Sequence, residues 1–107
     1  MARLAAIVSC VVLWTTAAVA DAPILKGTVG FDSMDIQHSK CTAVSGALLA
    51  KLTRNYACTP GDDHTASGVT AVAVCKAKKG NSEFDLFSTK KDCVNERETQ
   101  LANGQGD

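Results

Sequence analysis

The residues best suited to chemistry are two histidines and the carboxylates beside them. His64 directly follows Asp62 and Asp63. His38 stands three residues after Asp35. An imidazole beside a carboxylate could act as an oriented general base or join a divalent-metal site. No H-x-x-x-H, H-E-x-x-H or calcium-loop spacing supports a metal, and exposed polar turns explain the same residues. A metal-assisted hydrolase using the Asp62/Asp63/His64 run, joined by His38, is therefore the alternative hypothesis.

Other catalytic patterns are weaker still. Glu83 and Asp85 share one strand face, as a glycosidase pair would, but a solvated face with Asp85 beside Lys76 explains them equally well. No G-x-S-x-G run marks a serine nucleophile. We predict no catalytic residue, no metal site and no cofactor, and we favour a protein that is not an enzyme.

The cysteines point to structure rather than to chemistry. A thiol-exchange site needs C-x-x-C, and a zinc site needs close pairs. Here the four cysteines beyond residue 20 are separated by 16 or 17 residues: Cys41, Cys58, Cys75 and Cys93. In a domain of roughly 85 residues the core is thin, and each disulfide could add roughly 3 kcal/mol by restricting the unfolded chain. We predict two structural disulfides.

The first twenty residues have the layout of a secretory signal peptide. Arg3 is the basic start, an apolar run extends from Leu4 to Trp14, and Ala18-Val19-Ala20 fits the A-x-A cleavage rule. That run is shorter than the ~20 residues of a membrane-spanning helix. Cleavage would remove Cys10 and leave an even set of cysteines, which predicts a secreted or periplasmic protein in an oxidising compartment.

Two helices and a hairpin should position these residues. Over Ser39 to Arg54, with Ser39 as the N-cap, apolar residues recur at helical spacing and form one stripe: Cys41, Val44, Leu48 and Leu52. Thr89 to Ala102 has helical spacing too, with Thr89 as the cap and Asn103-Gly104 as the end. Its predicted inward stripe is Cys93, Val94, Arg97 and Leu101. Between them, Val69 to Lys78 and Ser82 to Ser88 alternate like strands around a Gly80-Asn81 turn.

The turn at Gly80-Asn81 predicts a register with Cys75 opposite Leu86. One face then carries Ala73, Cys75, Ala77, Phe84 and Leu86, and we expect the final helix to pack on it. Four cysteines allow three pairings. Matching element lengths favour Cys41–Cys58 with Cys75–Cys93, and the main alternative joins Cys41 to Cys93 and Cys58 to Cys75.

The charge balance excludes a general attraction to nucleic acid or to anionic membranes. Loss of Arg3 leaves ten Lys and Arg against eleven Asp and Glu. The lysines form two small groups, at the predicted hairpin tip and at the start of the final helix: Lys76, Lys78, Lys79, Lys90 and Lys91. Protection of a sheet edge is the better-attested explanation for such lysines than an anionic partner.

These observations predict an α+β fold, in which two helices pack on a small antiparallel sheet stapled by two disulfides. Residues 1–20 would be the cleaved signal peptide, residues 21–38 an N-terminal leader with at most an edge strand, and residues 39–107 the stapled domain. We expect a monomeric, non-enzymatic binding or structural module that contacts an unknown protein or small-molecule ligand, without nucleic acid or membrane. The loop from Thr59 to Gly68 is the predicted contact surface, with Pro60, Asp62, Asp63 and His64 as its binding residues.

Overall fold

A five-stranded antiparallel sheet forms the centre of the fold. The computed structural model describes residues 23–104, so the predicted signal peptide lies outside the described residues. The elements are β1 (Val29–Asp32), a 3-10 turn (Ser33–Asp35), β2 (Thr42–Ala43), α1 (Gly46–Asn55), β3 (Tyr56–Pro60), β4 (Ala73–Ala77), β5 (Glu83–Phe87) and α2 (Lys90–Ala102). The strand order is β2-β1-β5-β4-β3. The predicted α+β class with two disulfides is confirmed.

The two helices cover opposite faces of the sheet, which corrects the predicted packing. The face of Cys75 and Phe84 receives α1, whose Leu52 is fully buried there. The other face carries Phe31 and Phe87, whose stacked rings lie 6.3 Å apart, and α2 covers it. Our placement of the final helix on the Cys75 face was wrong because α1, which is joined directly to β3, covers that face and leaves the opposite face to α2.

The β4–β5 hairpin keeps its predicted faces but not its predicted register. Cys75 pairs with Phe84, and Ala73 pairs with Leu86, so β5 is displaced by two residues relative to the Gly80-Asn81 turn prediction. The connection is longer than two residues, since the last hydrogen bond before it joins Ala77 N to Ser82 O at 2.9 Å. Because side chains alternate with a period of two, a slip of two residues leaves every side chain on its predicted face.

The first helix begins six residues later than predicted. Ser45, not Ser39, is the N-cap residue. Thr42 and Ala43 form β2, which pairs with β1. Val44 is buried, as its place in the predicted stripe requires, but it is buried from extended backbone that precedes the helix.

The segment predicted as a leader, residues 21–38, supplies an interior strand. β1 pairs with β2 on one side and with β5 on the other, so it is not an edge strand. Phe31 and Ile36 are both fully buried, which accounts for the order of this segment. At Gly30 a side chain would overlap Leu86 Cδ2 and lie 2.8 Å from the Asp85 carbonyl oxygen, so only glycine lets β1 approach β5 this closely.

Directional bonds cap the start of α2 and attach the helix to the segment between β1 and β2. The Thr89 side chain caps the helix as predicted, accepting a hydrogen bond from Asp92 N at 3.1 Å. The Arg97 guanidinium donates to the carbonyl oxygens of Ser39 at 2.7 Å and Ile36 at 2.8 Å. These contacts connect α2 to the segment between β1 and β2, whose Ile36 also packs in the same hydrophobic cluster as Cys93.

The disulfides are Cys41–Cys93 and Cys58–Cys75. Our favoured pairing was therefore wrong, and the main alternative is confirmed. The length argument failed because Cys41 precedes β2 instead of starting a helix. Cys58 stands directly opposite Cys75 in the β3–β4 ladder, while Cys93 is buried on the α2 face.

We predict that the Cys41–Cys93 bond contributes more to stability than the Cys58–Cys75 bond. The two bonds close chain separations of 52 and 17 residues, and loop entropy gives roughly 4 and roughly 3 kcal/mol. The matched pair Cys41→Ala/Cys93→Ala and Cys58→Ala/Cys75→Ala should therefore differ by about 1 kcal/mol in unfolding free energy, measured in urea. A larger loss on removal of the shorter loop would contradict this ranking.

Candidate functional site

The predicted contact loop is held at its base by the sheet. Thr59 and Pro60, predicted as the start of the loop, instead belong to β3 and pair with β4. Beyond them Gly61 N donates to Val72 O at 3.0 Å, and Ala71 N donates to Asp62 O at 3.0 Å. A side chain on Gly61 would overlap the backbone of Ala71, so the two strands of the stem approach as closely as glycine allows. The Cys58–Cys75 bond links β3 and β4 below this stem.

A buried carboxylate on α2 holds the other side of the loop. Glu96 is 1% exposed. Its Oε2 accepts from Ala66 N at 3.0 Å, and its Oε1 accepts from Ser67 N at 2.8 Å and from Ser67 Oγ at 2.7 Å. Backbone donors that bind an ionised carboxylate form stronger hydrogen bonds than neutral pairs do. Glu96 therefore fixes residues 66 and 67 against α2.

Gln100 joins Glu96 to a second carboxylate on the sheet. Its Nε2 donates to Glu96 Oε2 at 2.6 Å and to Asp85 Oδ2 at 3.3 Å. Burial alone would raise the pKa of Glu96, but hydrogen bonds from Gln100, Ser67 and Ala66 outweigh it and lower that pKa. The helix, the loop and β5 thus share one polar network.

The pKa of Asp85 is shifted in the opposite direction, upward. Burial raises its pKa from the ordinary value of 3.8 to about 6. The hydrogen bond from Gln100 lowers the pKa, while the neighbouring charges of Glu83, Glu96 and Asp32 raise it further. The carboxyl therefore takes up a proton in mildly acidic solution, whereas Glu96 stays ionised.

The loop, α2 and the sheet enclose an acidic recess of about 270 Å³. Its lining includes four carboxyl residues and one imidazole: Asp62, Glu83, Asp85, Glu96 and His64. An acidic recess of this kind suits a cationic side chain of a partner, because opposite charge offsets the cost of bringing carboxylates together.

The predicted loop residues lie at the exposed apex. Asp62, Asp63 and His64 are all exposed, and Pro60 is the exposed last residue of β3. Asp62 Oδ1 accepts from His64 N at 3.0 Å, and Asp62 Oδ2 lies 3.5 Å from His64 Nδ1. The apex therefore has a defined turn and a negative charge.

The two histidines form separate carboxylate pairs. His38 Nδ1 lies 2.8 Å from Asp35 Oδ1, both largely exposed, and His38 does not line the recess. Within residues 23–104, no group of three or more His, Cys, Asp or Glu side chains is arranged to hold a metal ion. The structure thus brings His64 to Asp62 but does not show His38 in the same recess.

The anchoring pair Glu96 and Gln100 was not predicted, and the charge of Glu96 is one reason. Glu is almost never fully buried without a partner, and the predicted inward stripe did not include it. Of the predicted inward stripe, Cys93 is fully buried, and Val94, Arg97 and Leu101 are only partly covered. The spacing of Cys93, Glu96 and Gln100, three and then four residues apart, is the signal that could have identified the true inward face.

Comparisons of the chain with protein-family models, curated proteins and solved structures gave no match. Neither α1 nor α2, the helices of the described part of the chain, is long and apolar enough to cross a membrane. We therefore infer function from the geometry of the loop and its surroundings.

We predict that Glu96→Ala lowers the unfolding free energy by about 2–4 kcal/mol, because it leaves backbone donors of residues 66 and 67 without their acceptor. Glu96→Gln should lose roughly half as much, since one amide oxygen can still accept. Urea unfolding and amide exchange at Ala66 and Ser67 measure the effect. Glu98→Ala, an exposed site on the same helix, is the control, and an equal loss there would refute the assigned role.

Asp85→Asn should stabilise the protein above pH 6. Because folded Asp85 binds a proton that the unfolded chain has released, its contribution to stability falls as pH rises from about 4 to about 6, by at most about 3 kcal/mol. Asparagine keeps the acceptor for Gln100 and removes this slope. Unfolding free energies across that pH range test the prediction, and an unchanged slope in Asp85→Asn would contradict it. Glu96, with a lowered pKa, acts in the opposite sense and at lower pH.

Proposed function

We propose that the protein is a small disulfide-stabilised binding module, with the loop from Thr59 to Gly68 as its contact surface. The observation that carries the proposal is the anchoring of the loop by buried Glu96, which accepts three hydrogen bonds from Ala66 and Ser67. The stem bonds at Gly61 and Ala71 hold the opposite side.

An anchored loop binds at a lower entropic cost than a free one. Ordering of loops and side chains on association costs free energy, and a loop that is already fixed avoids much of that cost. Here both ends of the segment are fixed, while the apex residues Asp62, Asp63 and His64 remain exposed to a partner.

The charge of the loop defines the chemistry of the partner. The apex carries Asp62 and Asp63, and the recess beneath it adds Glu83 and Asp85. We infer a partner with a basic surface that places a Lys or Arg side chain in the recess. The positive charge of a guanidinium or ammonium group there would offset the negative charge of ionised Asp85. This supports a preference for cations over neutral ligands.

The disulfides indicate an oxidising, extracellular type of environment. Together with the signal-like pattern of residues 1–20, they support our proposal that the protein is exported and acts in the periplasm or outside the cell.

The metal-assisted hydrolase is the second candidate. It would depend on His64 with Asp62 and Asp63, because His38 is paired with Asp35 and is not part of the recess. The feature that favours this candidate is that Asp85, a carboxyl with a raised pKa, lines the same recess as His64. We rank it below the binding module because the histidine and its neighbours are exposed, and because these three side chains, like every other such group in residues 23–104, are not arranged to hold a metal ion.

The test uses the protein, with a photo-crosslinking residue in place of Ala66, to capture binding partners from the extracellular fraction of the source cells. It compares the wild type with two variants that each lack two negative charges. We expect a basic partner to crosslink to the wild type, and Asp62→Asn/Asp63→Asn to reduce its recovery about tenfold, since asparagine keeps the turn and removes the charge. Recovery is quantified by mass spectrometry.

The control variant Asp35→Asn/Glu98→Gln removes the same charge from exposed sites outside the loop and should leave capture unchanged. Equal recovery with all three proteins would place the contact elsewhere, and capture of acidic partners alone would overturn the charge assignment.

A further inference from the structure

A second cleft, of about 460 Å³, lies on the α1 side of the sheet, away from the acidic recess. It is formed by the last turns of α1, the start of β3 and the β4–β5 connection. Four cationic residues line it: Lys51, Arg54, Lys78 and Lys79. Within the described part of the chain, its lining contains no Asp or Glu; the other lining residues are Asn55, Tyr56, Ala77 and Ser82.

Strand pairing brings these cations together. Lys51 and Arg54 stand three residues apart on one side of α1. Because Tyr56 pairs with Ala77, the end of α1 meets the residues that follow β4. Lys78 and Lys79, distant in sequence from α1, therefore complete the cleft.

Lys78 also covers the end of α1. A helix C-terminus carries partial negative charge that would repel an anion. Here Lys78 N donates to Asn55 O at 2.9 Å, and Lys78 Nζ donates to Arg54 O at 3.2 Å. The ammonium has three donors, so two remain for a ligand.

The wall of the cleft is held in place from behind. Ser82 Oγ donates to Asp32 Oδ2 at 2.6 Å and accepts from the Tyr56 hydroxyl at 2.7 Å. Asp32 Oδ1 also accepts from the backbone nitrogens of Met34 at 2.9 Å and Glu83 at 3.2 Å. These bonds fix the β4–β5 connection against β1, which preorganises one side of the cleft.

Edge protection does not account for Lys78 and Lys79. They follow β4, which is paired on both sides, so they do not guard a free sheet edge. Lys76 differs from them, since it stands opposite Glu83 in the ladder. Mutual repulsion among the four cleft cations costs on the order of several tenths of a kcal/mol for each close pair, and a bound anion would reverse that cost.

We propose that this cleft binds a phosphate or sulfate ester group carried by a small molecule. Ammonium and guanidinium groups from two segments, α1 and the β4–β5 connection, line one concavity, and a compact oxyanion accepts charge-assisted hydrogen bonds from several donors at once. This site is separate from the contact loop, and the proposal does not depend on the function assigned to that loop.

The experiment titrates the oxidised, ¹⁵N-labelled protein with glucose 6-phosphate, glucose 6-sulfate and inorganic phosphate at constant ionic strength. We expect the amide chemical shifts of Lys78, Lys79 and Ser82 to change and to reach saturation as the concentration of at least one ester rises to roughly 10 mM. Shifts of equal size at Ala66 and Ser67, or no saturable shift with any probe, would overturn the proposal. The phosphate and sulfate arms identify which oxyanion is preferred.

Two variants of equal charge test the location. Lys51→Gln/Lys79→Gln should weaken binding about tenfold, which corresponds to about 1.4 kcal/mol for the two lost charge-assisted contacts together. Lys90→Gln/Lys91→Gln, at exposed positions at the start of α2, should change it less than about twofold. Equal weakening by both pairs would show a diffuse electrostatic effect and refute a site in the cleft. Unfolding curves confirm that both variants are folded.

Discussion

The attachment of α2 to the sheet is the constraint on which the rest of the structure depends. The aromatic face of Phe31 and Phe87 must be covered, but the helix that covers it is mostly polar. The small apolar surface area that such a helix can bury would by itself stabilise its packing only weakly. A disulfide from Cys93 and two hydrogen bonds from Arg97 attach the helix instead to the segment between β1 and β2, and the buried carboxylate of Glu96 attaches it to the contact loop.

The same attachments order the loop, so the loop and α2 cannot be treated as independent parts. Residues 66 and 67 bind Glu96, and Glu96 shares Gln100 with Asp85 on the sheet. A change at any member alters the electrostatic environment of the others. The network contains one carboxyl with a lowered pKa and one with a raised pKa, because donors surround Glu96 while burial and like charges dominate at Asp85.

Local patterns predicted the features that depend on neighbouring residues. The Thr89 cap, the α2 boundaries and the two faces of the hairpin follow from adjacent spacing, and all three are present. The pairing of Cys41 and the choice of face for each helix depend on contacts between distant segments, and the sequence carries no local trace of them. Val44 shows the difficulty: it fits a helical stripe, yet it is buried from extended backbone before α1.

The near-zero net charge conceals a strong separation of charge within the fold. Acidic side chains gather in the recess on the α2 side, and cationic ones gather in the cleft on the α1 side. In the net charge of the sequence the two groups cancel, so the net charge indicates no attraction to anions or cations. Recognition depends on the local field instead, and that field arises only when strand pairing places Lys78 beside Arg54 and loop folding places Asp62 near Asp85. Composition therefore excludes a uniformly charged surface but says nothing about two oppositely charged concavities on a neutral chain.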